Sequence, residues 1–228
     1  MSRAAARSVT IKVYRHHPST ATRPYLAAYH VPAYPRATVL SALLYIYEHL
    51  DPTLAFRYGC RFQKCGQCAV EIDGRPRLAC LTYLKPDTIV RPLPKFPLLQ
   101  DLVIERRGLW EKLLAYELYL PGGVDLTGTI APDAPSLREP PEHARLMACR
   151  ECLCCQAACP AWEGPQAPFG GPYLFVKLAQ LLWDPRNDRD RRAQARALGI
   201  ERCRSCGKCS CPNGIHIWRD AIMPLLGS

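Results

Sequence analysis

Apolar and polar positions alternate along Ser8–Arg15, which predicts a strand, and Pro24–Val31 is predicted as a second strand that pairs with it across a turn-rich connection. A helix is predicted over residues 39–50, after Thr38, which is typical of an N-cap, and before the helix-ending pair Asp51 and Pro52. The apolar positions expected on one face of this helix are Leu40, Leu43, Leu44 and Tyr47.

A hairpin is predicted next, because Ala69–Ile72 and Arg77–Cys80 flank Asp73 and Gly74, a pair typical of two-residue turns. Two strands, a helix, a loop and a hairpin describe a compact α+β unit. The proline-rich stretch 91–97 is the predicted junction, which gives domains over residues 1–97 and 98–228.

The second half has a mostly helical pattern. Residues 98–120 are predicted to be helical, residues 121–142 irregular, and Tyr173–Trp183 a helix. Residues 186–192 carry charges of both signs and are interpreted as a solvated helix face.

Thirteen cysteines among 228 residues are the unusual feature of the composition. A secreted disulfide scaffold is disfavoured, because residues 1–8 lack an apolar signal-peptide core and closely spaced cysteines pair poorly. We therefore expect a reduced, cytoplasmic, metal-binding chain. No apolar run approaches the ~20 residues that span a bilayer, so any membrane association would be peripheral, through partners.

The net charge of +10 says little about partners, because metal-bound thiolates add negative charge that the formal count omits. No basic stripe interleaved with aromatic residues is present, so nucleic acid is not an expected partner. No dinucleotide or phosphate-loop motif occurs, and the six histidines show no ligand spacing.

The first cysteine group has the spacing of a plant-type 2Fe–2S site, in which three ligands share one loop and the fourth comes later. Gly59 and Gly66 leave room for such a loop to wrap a cluster. A tetrahedral zinc site is the alternative, although zinc sites more often pair two short knuckles. The predicted ligands are Cys60, Cys65, Cys68 and Cys80.

Two later groups resemble the bacterial ferredoxin run, in which three cysteines bind one cubane and the fourth, before proline, binds another. The second group comprises Cys149, Cys152, Cys155 and Cys159, followed by Pro160. The third comprises Cys203, Cys206, Cys209 and Cys211, followed by Pro212, and its last spacer is one residue instead of three.

Two such runs predict two 4Fe–4S clusters with crossed ligands. One ligand set is Cys149, Cys152, Cys155 and Cys211, and the other is Cys159, Cys203, Cys206 and Cys209. The short spacer leaves open an exchange of roles between Cys209 and Cys211. Cys154 is left over and is expected to be a small buried thiol near the ligands. Three clusters without a substrate motif indicate a one-electron relay.

Over most of its length the chain resembles the iron–sulfur subunit of succinate dehydrogenase and fumarate reductase. The resemblance is carried by residues 37–48, 51–54, 78–82, 89–94 and 101–103, and by Gly171 and Pro172. It implies a β-grasp plant-type ferredoxin domain followed by an all-helical bacterial-ferredoxin-like domain. It also implies an FAD-carrying flavoprotein partner, membrane-anchor subunits, a quinone pool and a peripheral place on the cytoplasmic face of the cell membrane.

Three residues depart from the family pattern. The usual member of the family has no cysteine at the position of Cys206, and it binds a 3Fe–4S centre there. A second 4Fe–4S cluster is therefore predicted for this chain, or a 3Fe–4S centre if Cys206 is not a ligand. Gly164 takes the position of the quinone-side tryptophan, with Trp162 displaced, and Arg204 replaces a common histidine. The quinone-side candidates are therefore Pro160, Trp162 and Arg204, and these changes weaken the case for direct quinone contact.

Two other functions remain as alternatives to this one. The first is a relay subunit of another flavin-linked oxidoreductase that acts on a thiol, a heterodisulfide or a hydroxy acid. The second and more remote is a basic zinc-binding protein, which would be colourless when purified.

Overall fold

The structure, a computed structural model, describes residues 7–19, 23–120 and 138–227. Most of the predicted irregular segment 121–142, up to residue 137, lies outside the described residues. The chain divides into two compact units, one of Met1–Arg106 with Arg150–Pro165, the other of Arg107–Cys149 with Gln166–Ser228. The predicted domain boundary between residues 97 and 98 stays a prediction.

A five-stranded sheet with the order β2-β1-β5-β3-β4 forms the framework of the first unit. Its strands are β1 (Arg7–Arg15), β2 (Tyr25–Ala33), β3 (Ala69–Ile72), β4 (Arg75–Leu78) and β5 (Thr88–Arg91). The first two predicted strands are confirmed as β1 and β2, which pair antiparallel, and β1 also pairs in parallel with β5. Ile11 and Val13 are fully buried, as the period-two pattern of β1 requires.

The predicted helix after Thr38 is confirmed, but its second half is wound differently. Thr38 and Ser41 form a capping box at the start of α1 (Val39–Tyr45). A π-helical turn (Ile46–Leu50) follows, closed by the N–H of Asp51 on the carbonyl of Ile46 at 2.7 Å. The wider turn shifts the buried face, so that Ile46 is fully buried while Tyr47 is 45% exposed.

The predicted hairpin is confirmed as β3 and β4. Asp73 and Gly74 both have positive φ, 49° and 75°, which is the backbone of a type I′ turn. The second strand begins at Arg75, two residues earlier than predicted, and Pro76 is tolerated because β4 is the edge of the sheet.

The helix predicted from residue 98 is wrong over its first turns. Residues 98–104 instead form a short hairpin of β6 (Leu98–Gln100) and β7 (Val103–Ile104), and α2 (Arg107–Ala115) begins only afterwards. Asp101 turns this hairpin with a φ of 45°, a backbone conformation that a helix does not use.

Helices and helical turns dominate the described part of the second unit. They are α2, α3 (Pro141–Leu146), α5 (Pro172–Trp183), α6 (Arg191–Ala197), a 3₁₀ turn (Ile200–Cys203), a π-helical turn (Trp218–Ile222) and α7 (Met223–Leu226). The predicted helix Tyr173–Trp183 is thus confirmed, and its Leu174, Phe175 and Leu178 are fully buried. The short helix α4 (Cys154–Ala158) belongs to the first unit. Sheet and helices together make the protein a mixed α/β structure.

The charged run 186–192 is not the solvated helix face that its sequence indicates. Helix α6 begins only at Arg191, whose side chain is fully buried. Its guanidinium donates to the carbonyls of Glu117 and Tyr119 at 3.0 and 2.8 Å and to the side chains of Asn187 and Gln194. These hydrogen bonds, two of them to main-chain carbonyls, offset the cost of removing the charge of Arg191 from water.

Candidate metal centre

The loop after Tyr58 directs backbone N–H groups at one sulfur atom. The Sγ of Cys60 accepts N–H groups from Phe62, Lys64 and Cys65 at 3.5, 3.0 and 3.2 Å. This convergence arises because Arg61 and Gln63 both have left-handed backbones, with φ of 64° and 63°. Alternating left-handed residues form a concave set of amides that binds anions.

The amides favour the thiolate form of Cys60. Burial raises the pKa of this thiol, but the N–H groups of Phe62, Lys64 and Cys65 outweigh that effect and lower the pKa to about 7. A thiolate is the form in which cysteine binds metal.

The other cysteines of the first group lie next to one another. The N–H of Cys60 donates to the Sγ of Cys65 at 3.4 Å, and Cys68 and Cys80 are both buried. Burial raises the pKa of Cys68 to about 12, and the side chains of Cys80 and Cys65 add to the rise. The N–H of Ala79 bonds to the carbonyl of Cys68 at 3.0 Å, so the end of β4 carries Cys80 to the loop.

Gly66 brings the second cysteine group against the first. A Cβ built on Gly66 would lie 2.1 Å from the carbonyl oxygen of Arg150 and 3.1 Å from the Cβ of Cys152. Its φ of +67° also belongs to the left-handed region that favours glycine. The first cysteine loop therefore lies against Arg150 and Cys152 at this glycine, inside the first unit.

Helix α4 and the residues just before it hold the buried cysteines of the second group. Cys152 and Cys154 are 5% and 2% exposed, and the thiol of Cys154 hydrogen-bonds to Cys152. That hydrogen bond is the largest cause that lowers the pKa of Cys152 to about 7, against the opposing effect of burial. Cys154 is thus a buried thiol that contacts a predicted ligand. Cys155 and Cys159 are half-buried.

The third cysteine group lies on turns of the second unit. Cys203 ends the 3₁₀ turn, and the N–H of Cys206 bonds to its carbonyl at 3.1 Å. Cys209 and Cys211 border a cavity of about 480 Å³, and the Sγ of Cys211 accepts the N–H of Asn213 at 3.4 Å.

The crossed ligand sets stay a prediction. Cys152, Cys155 and Cys159 belong to the first unit, whereas Cys149 and the third group belong to the second. Among residues 7–19, 23–120 and 138–227, no set of three or more histidine, cysteine or acidic side chains is arranged to hold a single metal ion.

The comparison with known proteins agrees with the cysteine pattern. Residues 10–111 match a family described as a 2Fe-2S iron-sulfur cluster binding domain. The fumarate reductase iron-sulfur subunit of Escherichia coli is 31% identical over 93% of this chain and 89% of its own length. The chain belongs to the iron–sulfur subunits of succinate dehydrogenase and fumarate reductase.

A solved structure shares the fold of this family. A chain of the Mycobacterium smegmatis Sdh1 complex in the apo form superposes with a TM-score of 0.79 at 27% identity, over 97% of this chain and 95% of that one. A fumarate reductase (CoM/CoB) protein of Methanothermobacter marburgensis is 30% identical over 95% of this chain. The chain spans only 38% to 43% of the length of this relative and of two from Methanocaldococcus and Methanococcus.

The quinone-side candidates of this family member have different surroundings. Pro160 and Arg204 are exposed, and Arg204 pairs with Glu201. Trp162 is fully buried, with its ring centroid 4.8 Å from that of Phe96. The indole of Trp162 is therefore a core side chain of the first unit and not part of its surface.

Lys95 was not predicted from the sequence, and it contacts a predicted ligand. Its ammonium donates to the carbonyl of Cys159, and its own carbonyl is close enough to Gly164 that a Cβ there would lie 3.3 Å away. The φ of Lys95 is 68°, so the backbone is strained to hold this position. No sequence pattern around Lys95, a single lysine in a proline-rich stretch, predicts its contact with Cys159.

A largely buried ion network surrounds the guanidinium of Arg15. The guanidinium of Arg15 donates to Asp51, to Tyr29 at 2.7 Å, to Thr53 at 2.8 Å and to Asp101 at 3.1 Å. Burial opposes ionisation of Asp51, but hydrogen bonds from Thr53, Tyr29 and Arg15 outweigh it and lower the pKa to about 2. The network joins β1, the helix end and the β6–β7 turn.

No helix in the described part of the chain is both long and apolar enough to cross a bilayer.

Proposed function

We propose that this chain relays electrons in a succinate dehydrogenase or fumarate reductase complex, between an FAD-carrying flavoprotein and a quinone pool reached through membrane-anchor subunits. The observation that carries the proposal is the set of backbone amides that converge on the sulfur of Cys60. Because the chain belongs to a family of iron–sulfur subunits, we infer that the anion bound by the loop around Cys60 is an iron–sulfur cluster.

The first cysteine group fits a 2Fe–2S cluster. Cys60, Cys65, Cys68 and Cys80 are neighbours, and amides that donate to the thiolate sulfur are the donors that such clusters use. For the second and third groups we propose two 4Fe–4S clusters with the crossed ligand sets predicted from the sequence. When bound, these groups supply one-electron redox chemistry.

Backbone groups of this chain stabilise the charge on a ligand sulfur and bring cysteines of two groups close together. The amides of Lys64 and Cys65 offset negative charge on sulfur, which favours reduction of whatever that sulfur binds. Gly66 lets the carbonyl of Arg150 approach the first loop, so Cys152, Cys155 and Cys159 of the second group lie in the same compact unit as the first group. A short separation between redox groups is what electron hopping needs.

The finer architecture and location are parts of the same proposal. The sheet order with a parallel β1–β5 pair supports a β-grasp ferredoxin domain, and the helices of the second unit support a bacterial-ferredoxin-like domain. Peripheral attachment to the cytoplasmic face of the membrane, through partner subunits, follows from the proposed assembly.

A freeze-quench experiment on the assembled complex tests this function. Co-expressed chain and flavoprotein are mixed anaerobically with succinate, and the 2Fe–2S EPR signal is recorded. Succinate is expected to reduce the centre in the wild-type complex and not in the Cys65→Ser variant. A wild-type centre that stays oxidised with succinate and that, once reduced chemically, is not reoxidised by fumarate would contradict the proposal.

A second candidate is a relay for a thiol-linked flavin oxidoreductase. It is favoured by the likeness to the M. marburgensis relative, whose name includes CoM/CoB. The same freeze-quench experiment separates the two, because CoM and CoB, and not succinate, would then reduce the centre.

A further inference from the structure

The indole of Trp218 carries a buried N–H without an acceptor. Its Nε1 atom is shielded from water, and no hydrogen-bond acceptor reaches it in the part of the chain that the structure describes. Nearly all buried donors in folded proteins are paired, because an unpaired donor loses its bond to water and gains nothing in return. The N–H of Trp218 therefore needs an acceptor that the described residues do not supply.

Trp218 lies in the wall of the cavity that Cys209 and Cys211 border, within the second unit. The chain reaches this position through a tight turn after Cys211. The N–H of Gly214 bonds to the carbonyl of Cys211 at 3.2 Å, and Gly214 has a φ of 81°. The turn folds the following residues back beside the third cysteine group. The indole and two predicted ligands therefore share one cavity.

The backbone that carries this indole is fixed by hydrogen bonds and by burial. The N–H of His216 donates to the carboxylate of Asp220 at 3.1 Å, and the N–H of Asp220 donates to the carbonyl of His216 at 2.7 Å. Ile217 is 2% exposed, and the carbonyl of Trp218 accepts the N–H of Met223. Trp218 also begins a π-helical turn, a feature that is frequent at functional sites. The fold therefore sets the position of Trp218 in the cavity wall.

Sulfur is the acceptor that the third cysteine group would provide. Cys211 already accepts the N–H of Asn213 on its Sγ at 3.4 Å. The thiolates and sulfides of an iron–sulfur cluster carry negative charge, and hydrogen bonds to them tune the cluster. An indole N–H only donates, so it complements such a sulfur without competing for iron.

We propose that the indole N–H of Trp218 donates a hydrogen bond to a sulfur atom of the 4Fe–4S cluster proposed for Cys211 and raises the reduction potential of that cluster. This inference rests on the proposed function and assigns the tuning of one relay step to a particular side chain. A donor to sulfur stabilises the reduced, more negative form of a cluster, so it favours arrival of the electron.

Pulsed EPR on the assembled, anaerobically reduced complex tests this hydrogen bond. The complex is produced with tryptophan that carries ¹⁵N in its indole ring. The cubane of Cys211 is recognised as the one whose signal persists in Cys206→Ser, because Cys206 belongs to the other proposed ligand set. We expect a weak ¹⁵N coupling to this cubane in the wild type and its loss in Trp218→Phe.

An EPR-monitored redox titration gives the second measurement. Trp218→Phe is expected to make the midpoint potential of the same cubane more negative. At the wild-type midpoint, the ratio of oxidised to reduced cluster should rise by about threefold or more, the effect of one hydrogen bond. The potential of the 2Fe–2S centre should not move.

Trp183→Phe is the matched control. The indole N–H of Trp183 is also buried and unpaired among the described residues, but Trp183 lies at the C-terminal end of α5 and not in the cavity wall. This variant is expected to keep both the ¹⁵N coupling and the wild-type potential.

Three results would overturn the inference. They are a wild-type cubane without ¹⁵N coupling, as a water acceptor would give, a coupling confined to the other cubane, and equal potential shifts in Trp218→Phe and Trp183→Phe. A wild-type complex without any cubane signal would contradict the proposed function itself, and this inference with it.

Discussion

Gly66 is the residue on which the contact between the first two cysteine groups depends. Replacement with alanine would place a Cβ 2.1 Å from the carbonyl of Arg150 and force a left-handed backbone on a residue that disfavours it. The backbone term alone costs about 1–2 kcal/mol. We expect Gly66→Ala to lower the unfolding midpoint of the holoprotein in urea and to reduce its iron content.

Gly74→Ala is the matched control for this substitution. Gly74 has a similar φ of +75°, but no atom lies within 4 Å of a Cβ built on it. Gly74→Ala should therefore show only the backbone cost, about 1–2 kcal/mol. Equal losses in the two variants would show that the approach of Arg150 to Gly66 contributes nothing.

Lys95 places a positive charge beside the predicted ligand Cys159. Because a cation stabilises the reduced, more negative form of a cluster, Lys95→Gln is expected to make the midpoint potential of the cluster bound by Cys159 more negative, by on the order of tens of millivolts. An EPR-monitored redox titration measures the shift. Lys85→Gln, at an exposed lysine, serves as the control, and the 2Fe–2S potential should not move in either variant.

At the scale of elements, the network around Arg15 joins β1 to Asp51, to Thr53 and to the β6–β7 turn at Asp101. Asp101 is 1% exposed and accepts the N–H groups of His16 and Ala55 as well as the guanidinium. Asp101→Ala removes one hydrogen-bond acceptor from the buried guanidinium of Arg15 and leaves the N–H groups of His16 and Ala55 without their acceptor. We expect a loss of about 3 kcal/mol in the free energy of unfolding, measured by urea titration. The exposed Glu48→Ala should change it by less than about 0.5 kcal/mol.

The same network predicts how stability depends on pH. The pKa of Asp51 is lowered to about 2 from 3.8, so its stabilising contribution is complete above pH 3.8 and is lost as the pH falls through about 2. The stability deficit of Asp51→Asn is therefore expected to be constant from about pH 5 to about pH 8. Urea titrations across that range check this, and a deficit that grows with pH would contradict it.

The elements that the sequence predicts well are those whose periodicity and end signals agree. Strand β1, helix α5 and the Asp73-Gly74 hairpin are of this kind. The apolar pattern does not predict the π-helical turn at Ile46, because the pattern does not depend on the hydrogen-bond register of a helix. It does not predict the β6–β7 hairpin either, because the left-handed backbone of Asp101 does not change which positions are apolar. Arg191 was misjudged because main-chain carbonyls distant in sequence satisfy its charge.

At the site, spacing predicted the cysteine groups but not what surrounds them. The contact of Gly66 with Arg150 joins segments more than eighty residues apart. The burial of Trp162 depends on Phe96, which no local motif connects to it. Such long-range contacts come from tertiary packing, which a single sequence does not reveal.

For the whole molecule, the proposed ligand sets make the third cysteine group decide how many irons the chain carries. With Cys206 as a ligand we expect two 4Fe–4S clusters, and without it one 4Fe–4S and one 3Fe–4S cluster. We expect Cys206→Ser to convert or destroy one cubane and to leave the 2Fe–2S signal intact, as recorded by low-temperature EPR. An unchanged set of clusters would remove Cys206 from the ligands.

Iron, acid-labile sulfide and EPR, all measured on one anaerobically purified sample, decide whether the chain carries the three proposed clusters. We expect about ten irons and about ten sulfides per chain. We also expect one 2Fe–2S signal and two cubane signals in a titration through the redox range. Zinc in place of iron, or protein without sulfide, would contradict the proposed relay.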